Sequence, residues 1–186
     1  MCIRDRLKSL FMIKFIFCKV LGWKIIGETN PVKKCVMIVA PHTHWLDFFV
    51  AIPVRRILNL EINFIGKKEL FFFPLNYILK YLGGSPVNRN SKSKTVDLIA
   101  EKFSKKDLYR LALSPEGTRK KVNEWKTGFY YIAKKANVPI VSVSMDAKKK
   151  EVVFSKPFYP TNDINKDFEF LKKFYDGVVG IVAENS

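Results

Sequence analysis

Acidic residues are scarce in this 186-residue chain: 17 Asp and Glu stand against 33 Lys and Arg, a formal net charge of +16. Such a deficit implies a negatively charged partner: anionic lipid, nucleic acid or an acidic carrier protein. Histidine is rarer still, with only His42 and His44. Although His42-x-His44 has the alternate spacing of a strand face, no third soft ligand lies nearby, which argues against zinc. Three cysteines, Cys2, Cys18 and Cys35, lack metal spacing and read as reduced, structural residues. There is no Gly-x-Ser-x-Gly elbow, hence no sign of a serine nucleophile, and no repeat or low-complexity linker. Nor is any Lys- or Arg-rich block interleaved with glycine, so nucleic acid ranks below a membrane surface. Aromatics at 14%, including 16 Phe, agree with lipid contact.

Long apolar runs are missing as well. Between Leu7 and Ile26 the chain is apolar, but Lys8, Lys14, Lys19 and Lys24 interrupt it before the roughly 20 residues that a bilayer span needs. No small-residue cleavage pattern follows, so a secretory signal is not expected. The segment reads as a basic helix lying in the headgroup region, with packing on the domain as the alternative. Met1–Arg6 fits no later pattern, and its reading is open between native chain and a foreign remnant. The domain reading is therefore residues 1–30 as a membrane-associating segment and 31–186 as one catalytic domain.

What is present centres on His42-Thr-His-Trp-Leu-Asp47, directly after the apolar run Cys35–Ala40. Five positions turn a helical side chain by about 140°, and an odd step along a strand points it to the opposite face. His42 and Asp47 can meet only if the chain changes structure between them. A strand ended by Pro41, then a helix from Trp45 with Thr43 as its cap, would supply that change. A second strand, Leu108–Leu113, precedes Ser114-Pro-Glu-Gly-Thr-Arg119. Gly117 would let backbone amides approach an anion, Thr118 adds a hydroxyl and Arg119 a guanidinium fork. In a parallel sheet both motifs would emerge at the carboxyl edge.

Further elements alternate in the α/β manner. Strands are expected at Glu61–Ile65, Val138–Met145 and Glu151–Phe154, the last of these antiparallel. Helices are expected at Trp45–Leu58, interrupted near Pro53, and at Leu75–Leu82, Ser93–Phe103, Lys126–Ala136 and Asp163–Val182, the last one broken at Gly177. The fold class is a single α/β domain, a mostly parallel central sheet flanked by helices, behind the basic apolar N-terminal helix. Phe71–Pro74 and Tyr77–Leu82 are read first as core, with an acyl tunnel or bilayer contact as the alternative.

Four ordered blocks give the chain its resemblance to the glycerol-phosphate and lysophospholipid acyltransferases, the 1-acylglycerol-3-phosphate acyltransferase-like family. They are His42-x4-Asp47, Gly83-Gly-Ser-Pro-Val-Asn-Arg89, Pro115-Glu-Gly-Thr-Arg119 and Val138-Pro-Ile-Val141. The resemblance covers roughly residues 20 to 145. It implies transfer of an acyl chain from acyl-coenzyme A or an acyl carrier protein to a lysophospholipid or glycerol-phosphate hydroxyl at the cytoplasmic membrane face. Under it, His42 is the general base and Asp47 its orienting carboxylate. Arg89, Glu116, Gly117, Thr118 and Arg119 take the phosphate, with Glu116 better suited to orienting Arg119 or the loop backbone. Lys126 would add a cation, and no cofactor or metal is implied. The fourth block reads as core. Two departures bear on the choice of acceptor: His44 stands where a small polar residue is common, and Asn88 where aspartate is frequent. The Lys-, Asn-, Ile- and Phe-rich composition fits an AT-rich bacterial genome. A non-catalytic protein binding anionic lipid is the alternative.

Overall fold

A run of apolar and β-branched residues buried on both sides needs strand neighbours on both sides, and the Cys35–Ala40 run has them. The computed structural model describes residues 3–27, 29, 32–87 and 92–186. Its strands are β1 (Lys24–Gly27), β2 (Lys34–Ala40), β3 (Asn63–Lys67), β4 (Gly84–Val87), β5 (Tyr109–Leu113), β6 (Ile140–Asp146) and β7 (Glu151–Phe154). They form one sheet in the order β1-β7-β6-β2-β5-β3-β4, with β2 at its centre. Every pairing is parallel except β6 with β7, joined by the turn at Ala147–Lys150. The carboxyl ends of β2, β3, β4, β5 and β6 therefore share one edge.

Side-chain alternation along β2 divides the core in two. Val36 and Ile38 face one layer, built with Ile99, Phe103, Phe129, Tyr130 and Leu171. These come from helices α4 (Lys92–Lys105), α5 (Gly128–Ala136) and α6 (Ile164–Lys173). Cys35 and Met37 face the other layer, with Phe17, Val54, Val141 and Val152. Phe17 belongs to a π-helical turn, Ile16–Val20, that continues α1 (Ile3–Phe15), and Val54 to α2 (Asp47–Ile57). Burial pushes the Cys35 thiol up to about 12, against a smaller opposing pull from Arg110, so it packs as an inert hydrophobe. α3 (Leu75–Tyr81) covers the β3–β4 end of the sheet.

The sheet has two strands more than the sequence pattern announces. β1 lies at the end of the apolar stretch Leu7–Ile26, where no strand is expected. Helical structure stops at Val20, Gly22 turns the chain at φ +76°, and Lys24–Gly27 joins the sheet edge beside β7. β4 hides within the glycine-rich second block, where four residues are too few to show a period. At the other end, helix extends only over Ile164–Lys173 rather than to Val182. Asp163 caps it by accepting from the Lys166 amide at 3.2 Å, as its residue type favours. No helix among the described residues is long and apolar enough to cross a membrane.

Candidate active site

β2 ends at Ala40, and the cis Ala40–Pro41 bond starts the loop that carries the histidines. The helix that follows begins at Asp47, not Trp45, and Thr43 is not its cap; it also runs through Pro53 without the expected interruption. Asp47 is itself the first helical residue, and its buried carboxylate folds back over the loop. One oxygen, Oδ2, accepts from the Thr43 and His44 amides at 2.9 Å each and lies 3.0 Å from His42 Nδ1. Strand, loop and helix thus bring together two side chains that neither regular structure could pair. With Nδ1–H donated to Asp47, the free lone pair of His42 sits on Nε2, on a side chain 31% exposed.

The second motif reaches the first through Glu116. Its Oε2 accepts the His42 amide at 2.9 Å and the Ser114 hydroxyl at 3.2 Å. Burial pushes the Glu116 carboxyl up, while the hydrogen bonds from His42 and Ser114 hold it back. The orienting role expected of Glu116 falls on the loop backbone, and on the loop of the other motif.

Beyond Glu116 the chain turns at Gly117 with φ +64°. The Gly117 amide donates to the Ser114 carbonyl at 3.2 Å, closing the turn. A Cβ at Gly117 would stand 2.6 Å from Lys126 Nζ and 2.8 Å from its Cδ and Cε, so the lysine lies across the glycine. The Lys126 amide donates to the Pro115 carbonyl at 2.8 Å, which fixes that crossing. Thr118 and Arg119 follow as exposed residues of the same loop. Gly117→Val combines a left-handed backbone with a displaced lysine. It is expected to cost about 1–3 kcal/mol in denaturant unfolding.

Arg89 lies outside the described residues, although β4 delivers Val87 to the same sheet edge. Val138, Ile140 and Val141 of the fourth block are buried core, as read from the sequence. His44 Nδ1 accepts from the Leu46 amide at 3.3 Å, and no group of three potential metal ligands occurs among the described residues.

Two supports of the site carry no local sequence signal. The Tyr175 hydroxyl donates to the Ile38 carbonyl at 2.6 Å and accepts the Val143 amide at 3.2 Å, joining β2 to β6 just before the histidine loop. Thr43 Oγ1 accepts the Val182 amide at 3.1 Å, and a Cβ on Gly180 would stand 2.5 Å from Thr43 Cγ2. Partners 137 and 139 positions away in the chain cannot be found by spacing rules.

The chain is similar to known proteins. A relative named 1-acyl-sn-glycerol-3-phosphate acyltransferase, from Saccharomyces cerevisiae, is 29% identical over 88% of this chain and 61% of its own length. A probable enzyme of the same name from Mycoplasma pneumoniae is 27% identical over 84% of this chain and 70% of its own. The chain thus spans about three fifths of the yeast relative's length. The fold is shared with the crystal structure of the 1-acyl-sn-glycerophosphate (LPA) acyltransferase PlsC from Thermotoga maritima. The TM-score is 0.57 at 21% identity, over 94% of this chain and 80% of that one. The family model described as Acyltransferase matches residues 23–146, from the turn before β1 to the last residue of β6. Two thirds of the chain, with the His42–Asp47 pair and the Glu116 loop inside them, place it in the Acyltransferase family.

Proposed function

We propose that this chain is an O-acyltransferase of phospholipid biosynthesis, acting on the free hydroxyl of 1-acyl-sn-glycerol-3-phosphate or a close lysophospholipid or glycerol-phosphate relative. The observation that carries the reading is the 3.0 Å contact of His42 Nδ1 with Asp47, which leaves Nε2 free on a partly exposed ring. His42 Nε2 removes the hydroxyl proton as the acceptor oxygen attacks the thioester carbonyl. A C–O bond forms, the C–S bond breaks, and the imidazolium returns its proton to the departing thiolate. Asp47 stabilises the imidazolium between those events. No acyl-enzyme is required, and the step calls for no cofactor or metal beyond the acyl-coenzyme A or acyl carrier protein that brings the chain.

The phosphate of the acceptor would lie against Gly117, Thr118 and Arg119, with Arg89 and Lys126 as further cations and Glu116 holding the loops together. Phosphate recognition by an arginine fork beside a glycine turn follows ordinary charge-assisted geometry. Substrates with two acyl tails or one reside in membranes. Exposed Phe11, Met12 and Phe15 on α1, beside exposed Lys8, Lys14 and Lys19, suit peripheral or monotopic residence on an anionic cytoplasmic face.

A non-catalytic binder of anionic lipid would need the cations but no base clamped in one tautomer. The deciding experiment offers purified protein each donor with lysophosphatidate, glycerol 3-phosphate and other lysophospholipids in mixed micelles. Radiolabelled product from lysophosphatidate is the expected result. Vesicle binding without product from any pair would sink the enzymatic reading.

A further inference from the structure

The segment from Leu70 to Tyr81 contradicts its reading as core: Leu70, Phe72, Phe73, Tyr77, Ile78 and Tyr81 are all exposed, Phe73 to 79% and Tyr81 to 88%. Six large apolar residues within twelve positions exceed the scattered exposure that soluble surfaces tolerate. Their place in the fold is informative. β3 runs parallel to β5, and β5 to β2, so the chain leaves Lys67 at the edge where β2 delivers His42. Phe64 of β3 packs its ring 5.5 Å from Phe48 of α2, which sets Phe64 and Gly66 on the α2 side. Phe71 lies against Gly66, 3.2 Å from where a Cβ would stand, with Leu70 beside it. The aromatic segment therefore projects on the α1–α2 side of the sheet, at the carboxyl edge.

That side is basic around its apolar centre. Lys67, Lys68 and Lys80 are exposed, with Glu69 the sole acid between residues 67 and 81. Tyr77 and Tyr81 have the amphipathic rings favoured at the level of lipid headgroups. The opposite side, carrying α4, α5 and α6, instead bears charge pairs such as Asp97–Lys135 and Glu101–Lys105. Its exposed apolar residues, such as Leu98 on α4 and Phe170 on α6, are spread over different helices, and Phe170 stacks on Phe158. An apolar, lysine-rimmed face on one side only is complementary to an anionic bilayer rather than to water.

We propose that residues 70–81 form a second membrane anchor, separate from α1, that enters the interface of an anionic bilayer and presents the His42 edge to it. The inference rests on the reading that the acceptor is a membrane lipid, and it adds where the domain touches the membrane. Two anchors on one side fix orientation, which a single helix on a short connection does not.

The test measures partition of the full chain onto phosphatidylcholine–phosphatidylglycerol vesicles by co-sedimentation. Phe72→Ser/Phe73→Ser is compared with Phe170→Ser on the opposite side and with Phe11→Ser/Phe15→Ser on α1. Expected are a loss of affinity of about tenfold or more for the loop pair, none for Phe170→Ser, and quenching of a Phe73→Trp probe by brominated lipid. Unchanged partition of the loop pair with an unquenched probe would overturn the inference, as would wild type that fails to bind these vesicles. A loop pair that alters only self-association in light scattering would make this face a protein interface and overturn it too. Acyl transfer to a dispersed short-chain acceptor, run in parallel, reports separately on the catalytic reading.

Discussion

His42→Ala is expected to lower kcat/KM for acyl transfer by about two to four orders of magnitude, with the thermal unfolding midpoint close to wild type. The side chain is partly exposed and makes one described contact, the Nδ1 bond to Asp47, so its loss opens no core cavity. Asp47→Asn should approach the same loss of rate, about 10²–10⁴-fold, because a neutral acceptor no longer stabilises the imidazolium. Asp47→Ala separates the two roles of that carboxylate. It leaves the Thr43 and His44 amides without their acceptor, at about 1–3 kcal/mol for each one left unsatisfied. Stability should therefore fall with Asp47→Ala but not with His42→Ala, in calorimetry on the two purified variants. Turnover that survives His42→Ala would refute the mechanism.

Glu116→Ala is the other large expected effect, and its origin is indirect. The variant removes the acceptor of the His42 amide and detaches the Ser114 turn from the histidine loop. A loss of kcat of about ten- to a hundredfold follows if the imidazole drifts by an ångström. Glu116→Gln keeps a carbonyl acceptor and should recover most of that rate. A residue that bound phosphate directly would instead raise KM, and would not be rescued by glutamine. The raised carboxyl also carries a pH signature. Its proton is held to higher pH folded than unfolded, so its contribution to stability is complete below the unfolded value and is lost as pH rises through the folded one. Glu116→Gln should flatten the stability–pH curve across that interval, measured by urea unfolding in a buffer series.

The central strand, the two motif loops and the late antiparallel strand are legible because each rests on local chemistry. A run from Cys35 to Ala40, buried on both sheet faces, has one reading, and Pro41 marks its end. The charge-rich turn before Glu151 likewise predicts a reversal. β1 was hidden because Trp23–Ile26 is as apolar as the helix before it, and only Gly22 marks the change of structure. The aromatic segment after β3 was misjudged for the opposite reason. Hydrophobicity predicts burial only when water is the sole alternative, and the bilayer interface proposed for Phe72 and Phe73 is another. At the site, His42 and Asp47 were found by spacing, whereas Tyr175 and the Val182 contact depend on chain reversals that no window of sequence contains.

The sheet's order also has a meaning in time. β1 pairs with β7, so Lys24 meets Glu151 across a separation of 127 residues. As the polypeptide emerges from the ribosome, α1 is made before the sheet, and its connecting strand has no neighbour until β7 has been synthesised. Non-local parallel pairing is slow to form, so under the proposed membrane residence α1 has an interval in which it is free to settle on a bilayer. Under the same proposal, the sheet edge that carries His42 would assemble at the membrane surface.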